Sequence, residues 1–319
     1  MNPSFFGRVR SFAQFLIIVA VVLECLIFAF LSPSFLTLNN FVNVALQIAI
    51  YGILAVGMTL VIITGGIDLS IGSIVALAGV VVAGMSEKLS HQPVLGTLLA
   101  IILGIGIGLI SGSFSGLMIT RLRVPPFIVT LALMTIGRGL AFIFTGGFSI
   151  GNLPLEFGVL GRGHLGPVPV PVVTMALVFL GGYLLLSKSR YGRYIYAIGG
   201  NEEASRLSGI DTRSVVRMVY ILNGALAGLA GITLASRLGA GVPNSGLQYE
   251  LDVIAAVVVG GTSLMGGVGS VMGTFWGTVF IGILNNGLNL ANVDPYTQKV
   301  ALGVVILMAV LLDRLSNKA

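Results

Sequence analysis

The chain has 319 residues, of which 56% are hydrophobic and 9% are charged, and its mean hydropathy is +1.04. A soluble domain carries about 25% charged residues and could not bury this much apolar surface. The formal net charge is +6, but the basic residues lie at the ends of apolar runs, where membrane topology explains them better than nucleic-acid binding. The composition excludes a soluble protein and predicts an all-α integral membrane protein.

Ten apolar runs predict ten membrane spans of about 20 residues each, joined by short loops in one domain over residues 1–319. The predicted spans are 12–31, 41–63, 70–86, 95–119, 125–145, 169–187, 215–236, 251–265, 269–290 and 297–313. Lys and Arg are concentrated at alternate span ends, which predicts that both termini and the loop between the sixth and seventh spans are cytoplasmic. Glycines and prolines in 146–168, the longest loop on the other side, predict no long helix there.

Two glycine-rich breaks share the pattern GGxxLxxG, namely GGIDLSIG at 65–72 and GGTSLMGG at 260–267. They indicate a weak internal repeat, a feature of transporters whose path forms between two halves. Polar groups in such breaks either line a path or gate, or cap the next helix by accepting from its free N–H groups. The candidate path or gate residues are Gly65, Gly66, Asp68, Ser70, Thr262 and Ser263.

Charged residues inside predicted spans need an interior partner or a route to the membrane surface, because they are costly at membrane depth. Arg138 in the fifth span and Glu24 in the first raise this problem, and a pair between Arg138 and an acid is one solution. Glu250 and Asp252 flank the outer start of the eighth span near Arg237, where they either dock a soluble partner or are solvated.

Three amides in ILNNGLNL, near the end of the ninth span, are further candidates. Asn285 and Asn286, with Asn289, line a path for a hydroxylated solute, bond between helices, or mark the water interface. Glycines also recur every four residues at 104–116 and 269–277, a spacing that lets helices approach closely. We expect these stripes to pack within the chain, with a subunit interface as the alternative.

The stretch 187–217 is unlike the rest of the chain, since it holds nine charged side chains. Within it, GGNEEASRLSG predicts a helix of about two turns that Asn201 caps and Gly209 ends. Glu202 and Glu203 fall in the first turn, where the helix dipole favours negative charge. Such a helix, held in water between two spans, suits docking to another protein, although a solvated surface helix is the alternative.

The chain lacks the signatures of an enzyme. It has no GxxxxGK[ST] phosphate loop, no HExxH motif and one cysteine, Cys25, so we expect no ATP hydrolysis, metal site or other catalysis by this chain. The break at Gly65 and Gly66, with Asp68, leaves an ion-driven secondary transporter as an alternative function.

Four longer motifs occur along the chain, namely GMTLVIITGGIDLSIGS at 57–73, VPPFIVTLALMTIGRGLAF at 124–142, YAIGGNEEASRLSGI at 196–210 and YELDVIAAVVVGGTSLMGGVGSVMGT at 249–274. Together they resemble one family, the permease subunits of bacterial ABC importers for simple sugars, which are related to branched-chain amino-acid permeases. The resemblance is nearest to ribose permeases, and it implies a multi-pass protein of the bacterial inner membrane.

The resemblance also implies partners. A separate ATPase subunit would bind ATP and Mg, a periplasmic binding protein would deliver the sugar, and a second copy or a sister permease would complete the path within the membrane lipid. On this resemblance, residues 199–209 form the coupling segment that enters a cleft of the ATPase. Its implied contact residues are Gly199, Gly200, Asn201, Glu202, Glu203, Ala204, Arg206, Leu207 and Gly209.

Overall fold

The computed structural model describes residues 3–151 and 153–316, and these fold into a bundle of helices with one very short pair of strands. The hairpin strands β1 (His164–Leu165) and β2 (Val168–Pro169) pair antiparallel. The helices are α1 (Pro3–Leu31), α2 (Leu38–Ile63), α3 (Ile71–Lys88), α4 (Pro93–Arg121), α5 (Pro126–Thr145), α6 (Val159–Arg162), α7 (Val170–Lys188), α8 (Arg190–Gly200), α9 (Glu202–Leu207), α10 (Thr212–Leu238), α11 (Tyr249–Val259), α12 (Val271–Leu290) and α13 (Pro295–Ser316).

Seven described helices are long and apolar enough to cross a membrane, namely α2, α3, α4, α5, α7, α10 and α12. Shorter apolar helical stretches cover Leu16–Leu31 in α1 and Pro295–Leu311 in α13. The prediction of a helical membrane protein is therefore confirmed. The described residues of the loop 146–168 form no long helix, as the glycines and prolines predicted, but the four-residue helix α6 and part of the strand pair.

The predicted span 251–265 is wrong in its extent. Helix α11 has 11 residues, which is about 16 Å at 1.5 Å per residue and too short for a hydrocarbon core of about 30 Å. It ends at Val259 because Gly260 and Gly261 follow, and Gly261 adopts a φ of 84° that other residues avoid. Residues 260–270 then form a loop rather than the end of a span.

Helices α2 and α11 end in the same backbone motif. Gly65 has a φ of 81° and Gly261 one of 84°, and in each case the next amide donates to the carbonyl five residues back. These bonds run from Gly66 N to Val61 O and from Thr262 N to Val257 O, at 3.1 and 3.2 Å. The two breaks are thus alike in structure, but Gly65 corresponds to Gly261, one residue away from the register of the sequence repeat.

The core is built around α2, whose residues from Ile48 to Ile63 are all buried. Helix α10 packs closely on α4 through glycines of both helices, because Gly108 lies against Gly224 and Gly104 against Gly228. The second stripe packs on α11, with Gly277 against Ala256. The expectation that the glycine stripes pack within the chain is confirmed.

The bundle has two ends, named here by their loops. At the α9 end, the last residue of α2, Ile63, meets Gly199 and Gly267, so the loops 64–70 and 260–270 lie beside the segment that precedes α9. At the opposite end, Asn40 near the start of α2 bonds to Asn286 near the end of α12. Helices α2 and α12 therefore run antiparallel through the full depth of the bundle.

Candidate functional site

The short helix α9 forms as its sequence predicted. The side chain of Asn201 accepts a hydrogen bond from the Ala204 amide at 2.9 Å, which satisfies one of the free N–H groups at the helix start. Gly209, with a φ of 85°, allows the Ile210 amide to donate to the Ser205 carbonyl at 3.1 Å and so ends the helix. Six residues with both ends capped give a rigid projection about 9 Å long.

The outer surface of α9 combines charge with an apolar side chain. The Arg206 guanidinium donates to both Glu203 carboxylate oxygens, at 2.6 and 3.1 Å, and this contact lowers the pKa of Glu203. Leu207 is 76% exposed, whereas Ser205 faces the bundle and is buried. An exposed leucine beside an ordered ion pair is the composition of a docking surface, with one apolar anchor and charges that set the register.

The segment before α9 is fixed to both helix breaks. The Tyr196 hydroxyl of α8 donates to the Gly269 carbonyl at 2.9 Å. Gly199 lies so close to the Ile63 carbonyl and the Gly267 amide that a Cβ would overlap both, whereas a Cβ on Gly200 would meet nothing within 4 Å. A displacement of α9 would therefore act directly on the ends of α2 and α11. We call these contacts of Tyr196 and Gly199 with the two breaks the glycine junction.

Asp68 is fully enclosed in the inner break, residues 64–70. One carboxylate oxygen accepts from the Ser70 amide and hydroxyl at 2.8 and 2.6 Å, and the other accepts from the Asn223 amide of α10 at 2.8 Å. Asn223 also lies against Gly57, six residues before the end of α2, so Asp68 lies about 9 Å inside the bundle. The Ser70 side chain makes no capping bond to α3, so the carboxylate joins the break to α10 instead.

The other sequence-predicted path residues lie in the second break and near the end of α12. Thr262 and Ser263 are each 1% exposed in the second break. Asn286 exchanges two hydrogen bonds with Asn40, at 3.0 and 2.9 Å, so this amide bonds between helices, which was one of the three predicted roles. Asn285 is half-buried. Asn289 accepts from the Gln298 amide at 3.0 Å. The structure thus brings the two breaks together, since Gly266 lies against Gly65, but both breaks are far from Asn286 at the opposite end.

A re-entrant segment, residues 239–248, runs back into the bundle from the opposite end. Gly241 lies against Val80 of α3, and Gly246 lies against Gly72 near the start of that helix, so the segment descends roughly 12 Å along α3. It is anchored by Arg138, which donates to the carbonyls of Pro243 and Ser245, both at 2.7 Å.

Arg138 therefore faces the interior, one of the two expected solutions, and bonds to backbone carbonyls. Glu250 lies near its guanidinium, but among the described residues Arg138 forms no ion pair with an acid. Glu24 is buried in α1, and among the described residues its carboxylate oxygens have no hydrogen-bond partner.

A polar cluster lies where the re-entrant segment joins α11. The Tyr51 and Tyr249 rings are 4.8 Å apart at an angle of 61°, and the side chains of Gln47 and Asp252 lie near the Tyr51 hydroxyl. Arg237 lies near both tyrosines. We call Gln47, Tyr51, Tyr249 and Asp252 the tyrosine cluster.

The expectation that Glu250 and Asp252 lie at the outer surface is wrong. Glu250 is 8% exposed and lies against Gly72, and Asp252 is half-buried beside Tyr51. The cause is the re-entrant segment, which carries the start of α11 inward. Sequence reasoning also missed Gln47 and Tyr51. Their signal was two polar side chains four residues apart in an apolar run, a spacing that places both on one helix face.

Known proteins identify the family. A family model described as branched-chain amino acid transport system / permease component matches residues 40–310. The chain belongs to this permease family. The ribose import permease protein RbsC of Bacillus subtilis is 49% identical over 312 residues, which is 97% of this chain and 94% of that protein.

More distant relatives extend the same pattern. RbsC of Escherichia coli K12 is 44% identical over 308 residues, covering 95% of this chain and 92% of its own. The L-arabinose transport system permease protein AraH of E. coli is 37% identical over 319 residues, covering 98% and 94%. No solved structure was found to match. The four sequence motifs therefore indicated the family correctly, and the relatives are named for sugar transport.

Proposed function

We propose that this chain is the membrane-spanning permease subunit of a binding-protein-dependent ABC importer, and that it carries ribose or a closely similar monosaccharide. Family membership and the near-complete match to ribose import permeases support the transport function. The observation that carries the coupling mechanism is α9, a capped helix that presents Leu207 and the Glu203–Arg206 pair on a chain that is otherwise largely apolar.

On this proposal the chain spans the bacterial inner membrane ten times, with α11 and the re-entrant segment together forming the eighth crossing. The α9 end is cytoplasmic, and so are both termini, because most Lys and Arg residues lie on that side. Residues 199–209 form the coupling segment. Leu207 would enter an apolar cleft of a separate ATPase subunit, while Glu202, Glu203 and Arg206 would set its orientation.

The partners divide the work. The ATPase subunit binds ATP and Mg and hydrolyses ATP, and a periplasmic binding protein delivers the sugar at the opposite end. A second copy of this chain or a sister permease completes the path. Movement of the ATPase would displace α9, and the glycine junction would pass this displacement to the ends of α2 and α11. Two populated arrangements of these helices then give access to one side at a time.

The test is co-purification and uptake in a bacterial host that lacks its own ribose permease. The double variant Glu203→Arg, Leu207→Asp should lose the ATPase subunit and ribose uptake, because it reverses a charge and places a carboxylate in an apolar cleft. Glu87→Arg is the matched control, since Glu87 is an exposed acid at the opposite end of the bundle. The proposal is wrong if the double variant keeps both the ATPase subunit and normal uptake.

A further inference from the structure

We propose that the tyrosine cluster, Gln47, Tyr51, Tyr249 and Asp252, is the sugar-contacting part of the path and binds an uncharged monosaccharide through its hydroxyl groups. This inference rests on the permease function proposed above and adds the residues that meet the substrate. None of the sequence-predicted path residues belongs to the cluster.

The cluster lies near the middle of the bundle. Tyr51 is 13 residues from the start of α2 and 12 from its end, which is about 20 and 18 Å along the helix axis. Tyr249 is the first residue of α11, and the start of this helix is carried inward by the re-entrant segment. Substrate sites of transporters occupy this depth, where interrupted helices meet.

The side chains match the surface of a sugar. A monosaccharide presents hydroxyl groups that both donate and accept, together with an apolar edge of C–H groups. The cluster offers an amide, two phenol hydroxyls and a carboxylate, which supply acceptors and donors in one place. The two tyrosine rings, tilted by 61°, add flat apolar surfaces beside these polar groups. Small-molecule sites commonly combine aromatic walls with a few polar groups that converge on the ligand.

The cluster also lies beside a segment of irregular backbone. In the adjoining chain Asn244 is exposed, Leu247 is 59% exposed and Leu251 is 42% exposed, while residues 239–248 have irregular backbone. Irregular backbone is tolerated at membrane depth only where protein covers it or where it lines a water-filled cavity. A path for a hydrated sugar beside this segment meets that requirement, and it opens on Tyr249 and Asp252, which are half-buried.

Cysteine labelling tests whether water reaches the cluster. The chain contains a single cysteine, so Cys25→Ser gives a background without thiols. Gln47→Cys, Tyr249→Cys and Asp252→Cys would be introduced separately, and the importer would be labelled in membrane vesicles with a charged thiol reagent. Ser73→Cys is the matched control, because Ser73 is 0% exposed between α3 and α5.

We expect the cluster cysteines to react at least about tenfold faster than the buried control, since a closed site reacts only through local opening. We also expect ribose, added with the binding protein and ATP, to slow this reaction. Labelling of all three cluster cysteines at the rate of Ser73→Cys would overturn the proposal.

Sugar selectivity is the second readout, because a merely structural role would not change it. In Asp252→Asn and Tyr249→Phe, uptake of ribose and of arabinose would be measured per assembled importer at saturating binding protein. We expect ribose uptake to fall about 10- to 100-fold in the first variant and up to about tenfold in the second, from the loss of one hydrogen bond to the sugar in each. The ratio of ribose to arabinose uptake should change in both variants.

An unchanged ratio in both variants would overturn the assignment, whatever the uptake rate. Inhibition of ribose uptake by leucine but not by arabinose would overturn the ligand class. The unaltered importer separates the two proposals. If it does not take up ribose with ATP, the permease function itself is wrong, whereas normal uptake with unreactive cluster cysteines contradicts only this inference.

Discussion

The inner break and the tyrosine cluster both place a carboxylate inside the bundle, and they treat it in opposite ways. Asp68 is 2% exposed, and its two oxygens accept three hydrogen bonds from Ser70 and Asn223. Asp252 is half-buried near Tyr51, three residues after Tyr249, and its helix follows irregular backbone that reaches the surface. Completed bonding favours a structural role for Asp68, whereas we propose that Asp252 contacts the sugar.

The largest effect should follow from Asp68→Ala. It leaves the Ser70 amide, the Ser70 hydroxyl and the Asn223 amide buried without an acceptor, which costs about 3–6 kcal/mol. We expect little folded protein in the membrane and a much lower melting temperature in detergent. Asp68→Asn should be mild, because the Asn223 side chain can turn its unpartnered Oδ1 toward the new amide.

The important quantity for Asp68→Asn is ribose uptake per folded molecule, which should stay normal with unchanged sugar selectivity. A changed sugar selectivity in Asp68→Asn would place the inner break in the sugar path, and Asp68 and Asp252 would then not differ in role.

Arg138→Met should loosen the re-entrant segment. The variant leaves the Pro243 and Ser245 carbonyls without their donor, at a cost of about 2–4 kcal/mol. Hydrogen exchange in residues 239–248 should rise, and uptake should fall, while residues 64–70 stay protected. Arg138→Lys should recover part of the loss, because an ammonium can donate to one or both carbonyls. An equal rise of hydrogen exchange in residues 239–248 and in residues 64–70 would show that the two segments are not independent.

Two neighbouring glycines provide a test of the junction with its own control. Gly199→Ala forces a Cβ into the Ile63 carbonyl and the Gly267 amide, and overpacking of this kind costs about 1–3 kcal/mol. We expect the ATPase subunit still to bind, since α9 is unaltered, but ribose-dependent stimulation of ATP hydrolysis to fall. Gly200→Ala should behave as the unaltered protein, because its Cβ has open space. Identical behaviour of the two variants would argue against the junction.

The smallest effect is expected from Asn286→Ala, which removes two interhelical hydrogen bonds to Asn40. Such bonds contribute about 0.6 kcal/mol each in membrane proteins, so the loss should be about 1 kcal/mol. Thermal unfolding in detergent would detect it, and adding Asn286→Ala to Asn40→Ala should cost almost nothing more. Altered sugar selectivity in Asn286→Ala would restore this residue to the path.

Local features were predictable from the sequence because their causes lie within a few residues. The cap at Asn201, the end at Gly209 and the apolar helices follow from spacing and side-chain chemistry. The partner of Asp68 is 155 residues away in α10, and no local pattern specifies that contact. Glu250 and Asp252 were placed at the surface because they flank the outer start of a predicted span, and only packing on α3 reveals that the preceding loop runs inward.

The most direct test of ATP-driven sugar import coupled through α9 uses the purified importer in liposomes. The chain, its ATPase subunit and the ribose-binding protein would be reconstituted together, and accumulation of labelled ribose would be measured with and without ATP. We expect accumulation that requires ATP and disappears in Leu207→Asp, whose carboxylate cannot enter an apolar cleft. Accumulation by this chain alone under an ion gradient, or normal ATP-driven accumulation by Leu207→Asp, would contradict it.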